Sequence, residues 1–269
     1  MALPPGSGKP GTMSPSTILP GTRHRHRRLL TIVALLRAVP GHADVSVDLL
    51  YDFRHTTDPR STASNFPVVE LKFFFPRSFG SFLMKEEIDL DGANHNASQT
   101  YTELSQSLKL GNATLWKSPV YIHLGYSGGL GLFGNGSGGF YIHNAFHVGL
   151  EYPFQVSHAF CNVYVALRHT SFGRPGYDPM VSLYAGRSFF ENRLLVAHSF
   201  EAWTTSNNQG DPSTQHATGK FASWELESEA WYKVAGDFSI GTYIRTTRNV
   251  YSLSNRWVVY PSFGVRYAF

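Results

Sequence analysis

Three glutamates two residues apart stand in the stretch "WELESEAWY": Glu225, Glu227 and Glu229. On a strand this spacing puts all three carboxylates on one face, about 6.6–6.8 Å between neighbours. Like charges that close call for water, cations or facing arginines. A second candidate is "RHTSFG", where His169 and Ser171 offer a general base beside a hydroxyl nucleophile. Such a pair wants a carboxylate to orient the histidine, and the residues that follow offer only Asp178. The histidines do not gather at ligand spacing. Two fall in the leader run "RHRH", and His123, His143, His147 and His158 are scattered, so no metal and no other cofactor is expected. Cys161 is alone, which leaves neither an intrachain disulfide nor a redox pair. No phosphate-cradling glycine loop or nucleic-acid motif is present.

The glutamates lie in a chain whose polarity alternates with a period of two. "VSVDLLYDFR" sets Val45, Val47, Leu49, Tyr51 and Phe53 against Ser46, Asp48, Leu50, Asp52 and Arg54. "VVELKFFF" sets Val69, Leu71, Phe73 and Phe75 against Glu70, Lys72 and Phe74. The same pattern runs through "SFLMKEEIDL", "VYIHLGYS", "CNVYVALR" and "ASWELESEAWY", with almost no helical period. It predicts about twelve strands: 45–54, 67–76, 81–91, 100–110, 119–127, 140–152, 159–169, 180–190, 194–205, 221–233, 238–248 and 257–269. The connections differ in kind. "PRSFG", "PFQVSH", "ENR" and "AGD" are short, whereas "HTTDPRSTASN", "DGANHNAS", "GGLGLFGNGSGG", "TSFGRPGYDP" and "SNNQGDPSTQHATGK" are long and polar or glycine-rich.

The chain has 269 residues, 14% of them aromatic and 16% charged, and a pI of about 9.1. That basicity does not mark a nucleic-acid partner, because it is confined to residues 1–43, which hold Lys9, Arg23, Arg25, Arg27, Arg28 and Arg37 and no acid. Without those six bases, 17 basic residues face 19 acidic ones. The leader has the anatomy of a secretory signal peptide: "RHRHRR", the apolar run "LLTIVALL", then "GHA" as a cleavage site. Residues 1–22 read as a mis-called start, with Met13 as another possible start, or as disordered sequence. The expected organisation is therefore a leader over 1–43 and one β domain over 44–269.

A soluble β-sandwich also alternates, but its strands are nearer five or six residues. Segments of about ten residues suit tilted strands crossing a bilayer. The fold class expected is all-β: a transmembrane antiparallel β-barrel of about twelve strands, with long loops on one side and short turns on the other. Its polar faces then line the lumen, and its Phe, Tyr and Trp residues suit the interfacial girdles.

The end of the chain supports the same reading. Ser262, Gly264, Tyr267 and Phe269 form a pattern that resembles the C-terminal signal read by the outer-membrane barrel-assembly machinery. An aromatic there closes the last strand on the first, where an unpaired edge in lipid would be costly. "LLYDF", "FYIHNAFHVGLEY" and "SLYAGRSFFENRLLVAHSFEAWTT" resemble segments of the Tsx-like nucleoside-specific channel-forming family, with the closest fit to its less characterised relatives. The resemblance is diffuse over residues 45–269 and implies a monomeric twelve-stranded barrel with a narrow nucleoside-selective channel. The pair His169 and Ser171 also resembles the His-x-Ser pair of outer-membrane lipid A deacylases, which are smaller barrels.

Alternation assigns the lumen to Asp48, Asp52, Arg54, Glu201, Trp203, Glu225, Glu227, Glu229, Tyr243, Arg245 and Arg266. A narrow pore with aromatic faces and carboxylates suits flat, polar, neutral solutes. It favours cations over anions unless Arg54, Arg245 and Arg266 face the glutamate ladder and cancel it. The expectation is thus a passive outer-membrane channel of a Gram-negative bacterium, not an enzyme, whose partners are outer-membrane lipids, the assembly machinery and a small polar solute. A structural or receptor barrel without conduction comes second, and a deacylase-like enzyme third.

Overall fold

The computed structural model describes residues 44–269 except 61, 63, 93–95, 117, 133–137, 171–175, 206–220 and 251–255. The leader, residues 1–43, lies outside the described residues. Twelve strands follow one another: β1 (Asp44–Asp52), β2 (Phe66–Arg77), β3 (Gly80–Asp89), β4 (Gln99–Leu115), β5 (Ser118–Leu132) and β6 (Gly139–Val156) in the first half. The second half holds β7 (Ala159–Thr170), β8 (Gly176–Phe189), β9 (Leu194–Thr205), β10 (Phe221–Ala235), β11 (Phe238–Arg248) and β12 (Trp257–Ala268). Each pairs antiparallel with its neighbours, and β1 pairs with β12, so the sheet is a closed barrel. Closure satisfies the backbone on every edge, which lipid demands. The seam runs from Ser46 opposite Ala268 to Asp52 opposite Ser262, and the Phe269 amide extends it by donating to the Val45 carbonyl at 2.9 Å.

Side chains alternate across this wall as the sequence pattern requires. On β1, Asp48 and Asp52 are buried within the barrel, while Leu49, Tyr51 and Phe53 are 51%, 44% and 37% exposed on the outside. The same outer belt carries Leu124, Phe146, Val148, Leu150, Val165, Leu167, Val259 and Phe263. An apolar exterior of this extent is a lipid-facing one. Among the described residues no helix is long and apolar enough to cross a membrane, which says nothing of a β-barrel.

The two rims differ in connection length. Residues 78–79, 157–158 and 236–237 make tight turns at one rim, where Ser157 and Gly236 take left-handed φ of 55° and 50°. The long connections all leave the opposite rim. Several expected boundaries shift: β4 runs on to Leu115 past the expected 110, and β8 begins at Gly176, inside the expected loop "TSFGRPGYDP". "PFQVSH", expected as a turn, is strand as far as Val156. In "GGLGLFGNGSGG", β5 continues to Leu132 because Leu130 and Leu132 keep the outward alternation despite the glycines. β1 stops at Asp52, and Arg54 opens a one-turn helix, α1 (Arg54–Thr57), instead of ending the strand. The Asp52 carboxylate causes that turn: it accepts from the Arg54 amide at 2.6 Å and from its guanidinium at 2.8 Å.

Candidate functional site

The inward face of β1–β3 and β10–β12 carries a continuous network of ion pairs. Arg266 on β12 forks onto both Asp48 oxygens at 2.7 Å and reaches Glu229 at 2.9 Å. Lys72 on β2 lies 2.7 Å from Glu70, 3.4 Å from Glu229 and 3.7 Å from Asp48. Lys85 on β3 joins Glu70 at 3.3 Å to Glu227 at 3.2 Å. Arg245 on β11 donates to Glu227 at 3.1 Å and grips both Glu87 oxygens at 2.7 and 3.1 Å. Its Nε is also 3.5 Å from Glu225. Charge-assisted, forked bonds of this kind are the strong ones. Asp48 is 0% exposed and Glu70 1%, so these charges have left bulk water and depend on one another.

Strand order gives these contacts their meaning. Going round the wall from β11 to β3 passes β12, β1 and β2, yet Arg245 touches Glu87 directly. Lys85 and Glu227 likewise join β3 to β10. The pairs are therefore chords across the lumen. Tyr243 stands among them, with Arg245, Lys85 and Lys72 at 5.5, 5.7 and 6.0 Å from its ring, and its hydroxyl accepts from Arg245.

The glutamate ladder is consequently not an open row of repelling carboxylates. Glu227 and Glu229 are paired, and Arg245 and Arg266 do face them, joined by Lys72 and Lys85. Arg54 pairs with Asp52 and stacks over Tyr260 and Phe66 at 4.3 and 5.1 Å, at the long-loop rim. Nearby in the same rim, burial raises the Asp58 carboxyl, but hydrogen bonds from Arg60 and the Arg256 charge outweigh that and hold it below its ordinary value.

The facing wall, β4–β9, is built differently. His123 on β5 donates through Nδ1 to Glu151 on β6 at 2.8 Å. Ser107 donates to the same carboxylate oxygen, and Asn162 donates to the other at 3.0 Å. Tyr164 stacks on His123 with centroids 4.0 Å apart and donates to Glu201 at 2.8 Å. His147 lies 5.2 Å from His123. Two "His-x-Gly" steps, His123 to Gly125 and His147 to Gly149, make room for these rings. The register crosses them: His123 sits opposite Gly149, and Gly125 opposite His147. A Cβ on Gly125 would lie 2.0 Å from the His147 ring, and one on Gly149 2.0 Å from the Val165 carbonyl oxygen. Higher on this wall, Trp203 lies under Arg168, 5.4 Å from ring to guanidinium.

Alternation thus placed Asp48, Asp52, Glu201, Trp203, Glu225, Glu227, Glu229, Tyr243, Arg245 and Arg266 within the barrel. It brings Asp48, Glu225, Glu227, Glu229, Tyr243, Arg245 and Arg266 together, and leaves Glu201 and Trp203 on the other wall. Glu70, Lys72, Lys85 and Glu87 were not singled out, although the same alternation marks them. The His123–Glu151 pair was missed because its partners come from different strands. Of the pair His169 and Ser171, His169 lies tilted against Tyr177 on the outer face with ring centroids 4.6 Å apart, and Ser171 lies outside the described residues. Asp178, the carboxylate offered to it, points inward opposite Arg168 and is 2% exposed. Ser262 and Gly264 face inward on β12, and Tyr267 meets Phe269 edge to face at 4.9 Å. Among the described residues no group of three or more His, Cys, Asp or Glu gathers as a metal site.

No family model and no curated protein matches this chain. Solved structures with a similar course include the KdgM porin, at 11% identity and TM-score 0.46 over 83% of this chain and 99% of that one. OccK5 (OpdH) of Pseudomonas aeruginosa matches at 10% identity and TM-score 0.40 over 82% of this chain and 62% of that one. A BenF-like porin from Pseudomonas fluorescens Pf-5 matches at 9% identity and TM-score 0.36, covering 84% and 98% respectively.

Proposed function

We propose that this chain is an outer-membrane channel for the passive passage of small polar solutes, exported by its leader and working as a monomer. The observation that carries the reading is the contrast between the two faces of the wall. The outside is apolar where Leu49, Val148 and Val165 meet lipid, and the inside carries ionised groups at mid-height. A barrel with no aqueous task can fill its interior with apolar side chains, whereas buried charges are costly unless a polar path needs them. The chords from β3 to β10 and β11 supply a constriction that only small solutes pass.

Nucleoside-like cargo is the finer part of the proposal. It rests on the sequence resemblance, and lumen rings such as Tyr164, Trp203 and Tyr243 are compatible with it. Recognition of β12 by the assembly machinery through Ser262, Gly264, Tyr267 and Phe269 belongs to the same proposal. A second reading, a barrel that holds its shape without conducting, is favoured by the near-complete burial of Asp48, Glu70 and Lys85. Single-channel recording in planar bilayers separates the two. Discrete conductance steps support the channel, and their reduction by added adenosine supports nucleoside binding. A heat-modifiable, folded barrel that gives no steps at any voltage establishes the second reading instead.

A further inference from the structure

We infer that the β4–β9 wall of the lumen is a subsite for small organic cations carrying N–H donors, so that ammonium compounds pass ahead of neutral solutes of equal size. The inference rests on the channel reading and names its solute class. Two independent observations lead to it.

The first is the charge balance of this wall. Between the rims it presents Glu103, Glu151, Asp178 and Glu201, while its described inward cations there come down to Arg168. The opposite wall lends little: Lys85 stands opposite Glu103 in register, but it and Lys72, Arg245 and Arg266 are each already engaged by at least two other carboxylates. Negative charge in a confined, low-dielectric lumen raises the local concentration of cations.

The second observation is a buried acceptor without a donor. A carboxylate only accepts, so the His123 nitrogen facing Glu151 carries a proton, and in the tautomer that carries its single proton there Nε2 is an acceptor. His123 is 4% exposed, and Nε2 has no hydrogen-bond partner among the described residues. The same logic fixes Asn162: its amide nitrogen faces Glu151, so Oδ1 turns away, and it too has no partner among the described residues. Buried polar groups are normally satisfied, and an orphan acceptor marks where a donor belongs. Tyr164 connects the two observations, since one ring stacks on His123 and its hydroxyl reaches Glu201. A ligand that completes this surface must bring positive charge and N–H groups together, and an aromatic face beside the carboxylates suits an ammonium.

The test is uptake into liposomes holding the purified full-length barrel, with three four-carbon probes: 1,4-diaminobutane as dication, erythritol as neutral solute and succinate as dianion. Diaminobutane should enter roughly tenfold faster than erythritol after subtraction of empty-liposome leakage, with succinate slowest. Glu103→Gln with Glu201→Gln should remove most of that advantage, read as the ratio of diamine entry to erythritol entry in the same liposomes. His123→Phe, which keeps a ring against Tyr164 but deletes the acceptor, should also slow the diamine alone, and it serves if the double variant does not insert. Equal entry of diamine and erythritol overturns the cation subsite and leaves the channel standing. Exclusion of all three probes by a correctly inserted barrel overturns the channel reading, and this inference with it.

Discussion

Single side chains in this barrel act through what faces them across the lumen or the sheet. Asp48 illustrates the point. From the sequence alone it is one of several polar residues on β1, and its replacement by asparagine looks harmless. In the structure it is fully buried and holds both arms of Arg266. Asp48→Asn should therefore lower stability by about 1.5–3 kcal/mol, as for a hydrogen bond to a charged group, and a urea titration of the protein in lipid reads it. The glycines of the ring cluster make a sharper comparison. The neighbour that meets a Cβ on Gly149 is the Val165 backbone, which cannot yield, whereas on Gly125 it is the His147 side chain, which can swing away. Gly149→Ala should cost about 1–3 kcal/mol by overpacking, and Gly125→Ala clearly less. The reverse ranking in the same titration contradicts the assigned stacking.

At the scale of strands, the period of two determines most of what the structure shows. All twelve expected segments are strands, because apolar residues had to reach lipid from every one of them. Their ends were less legible: glycine runs such as "GYSGGLGL" lack the polar break that normally stops a strand, yet pairing carries β5 through them. The outer face also departs from the simple pattern. Glu86 on β3 faces outward between Met84 and Ile88 and accepts from Thr102 on the neighbouring β4. This pair dictates a contrast between two substitutions. Leu49→Arg on the outer face should cost roughly 2–4 kcal/mol near the midplane. Glu86→Leu, which removes a carboxylate from the same lipid-facing layer, should leave the barrel as stable or more so. Folding titrations in bilayers that found both equally damaging would contradict the assignment of Glu86 to the outer face.

For the molecule as a whole, the sequence discloses which residues point into the lumen but not which ones meet across it. Alternation says nothing about chords, because the partners of Arg245 lie on β3 and β10, more than fifteen positions away along the chain. That is why the glutamate ladder looked unpaired. The chords set the expected conduction. Arg245→Ala cuts the tie between β11 and β3 and releases Glu87 and Glu227, so single-channel conductance should rise and the reversal potential in a salt gradient should move towards cations. Replacing Glu225, Glu227 and Glu229 by glutamine leaves four cations with fewer partners and should move it towards anions. An unchanged reversal potential in both variants would place the conduction path away from these chords.

The crossed placement of His123 and His147 over Gly149 and Gly125 has a consequence for how the chain finds its pairing. The β5–β6 hairpin is rich in glycine, and such strands slide readily because few side chains object. Here a slip of two residues one way sets His123 against His147, ring on ring, and the same slip the other way leaves Gly125 against Gly149, two bare glycines. The hairpin thus carries a key with two teeth that fits its lock in a single position. Exchanging the teeth should be permitted where altering one is not. Gly125→His alone collides with the His147 ring, but Gly125→His combined with His147→Gly restores one ring and one gap to that rung. If the double variant assembles into a heat-modifiable barrel and the single one accumulates unfolded, pairing fidelity in this hairpin resides in the match between bulk and space.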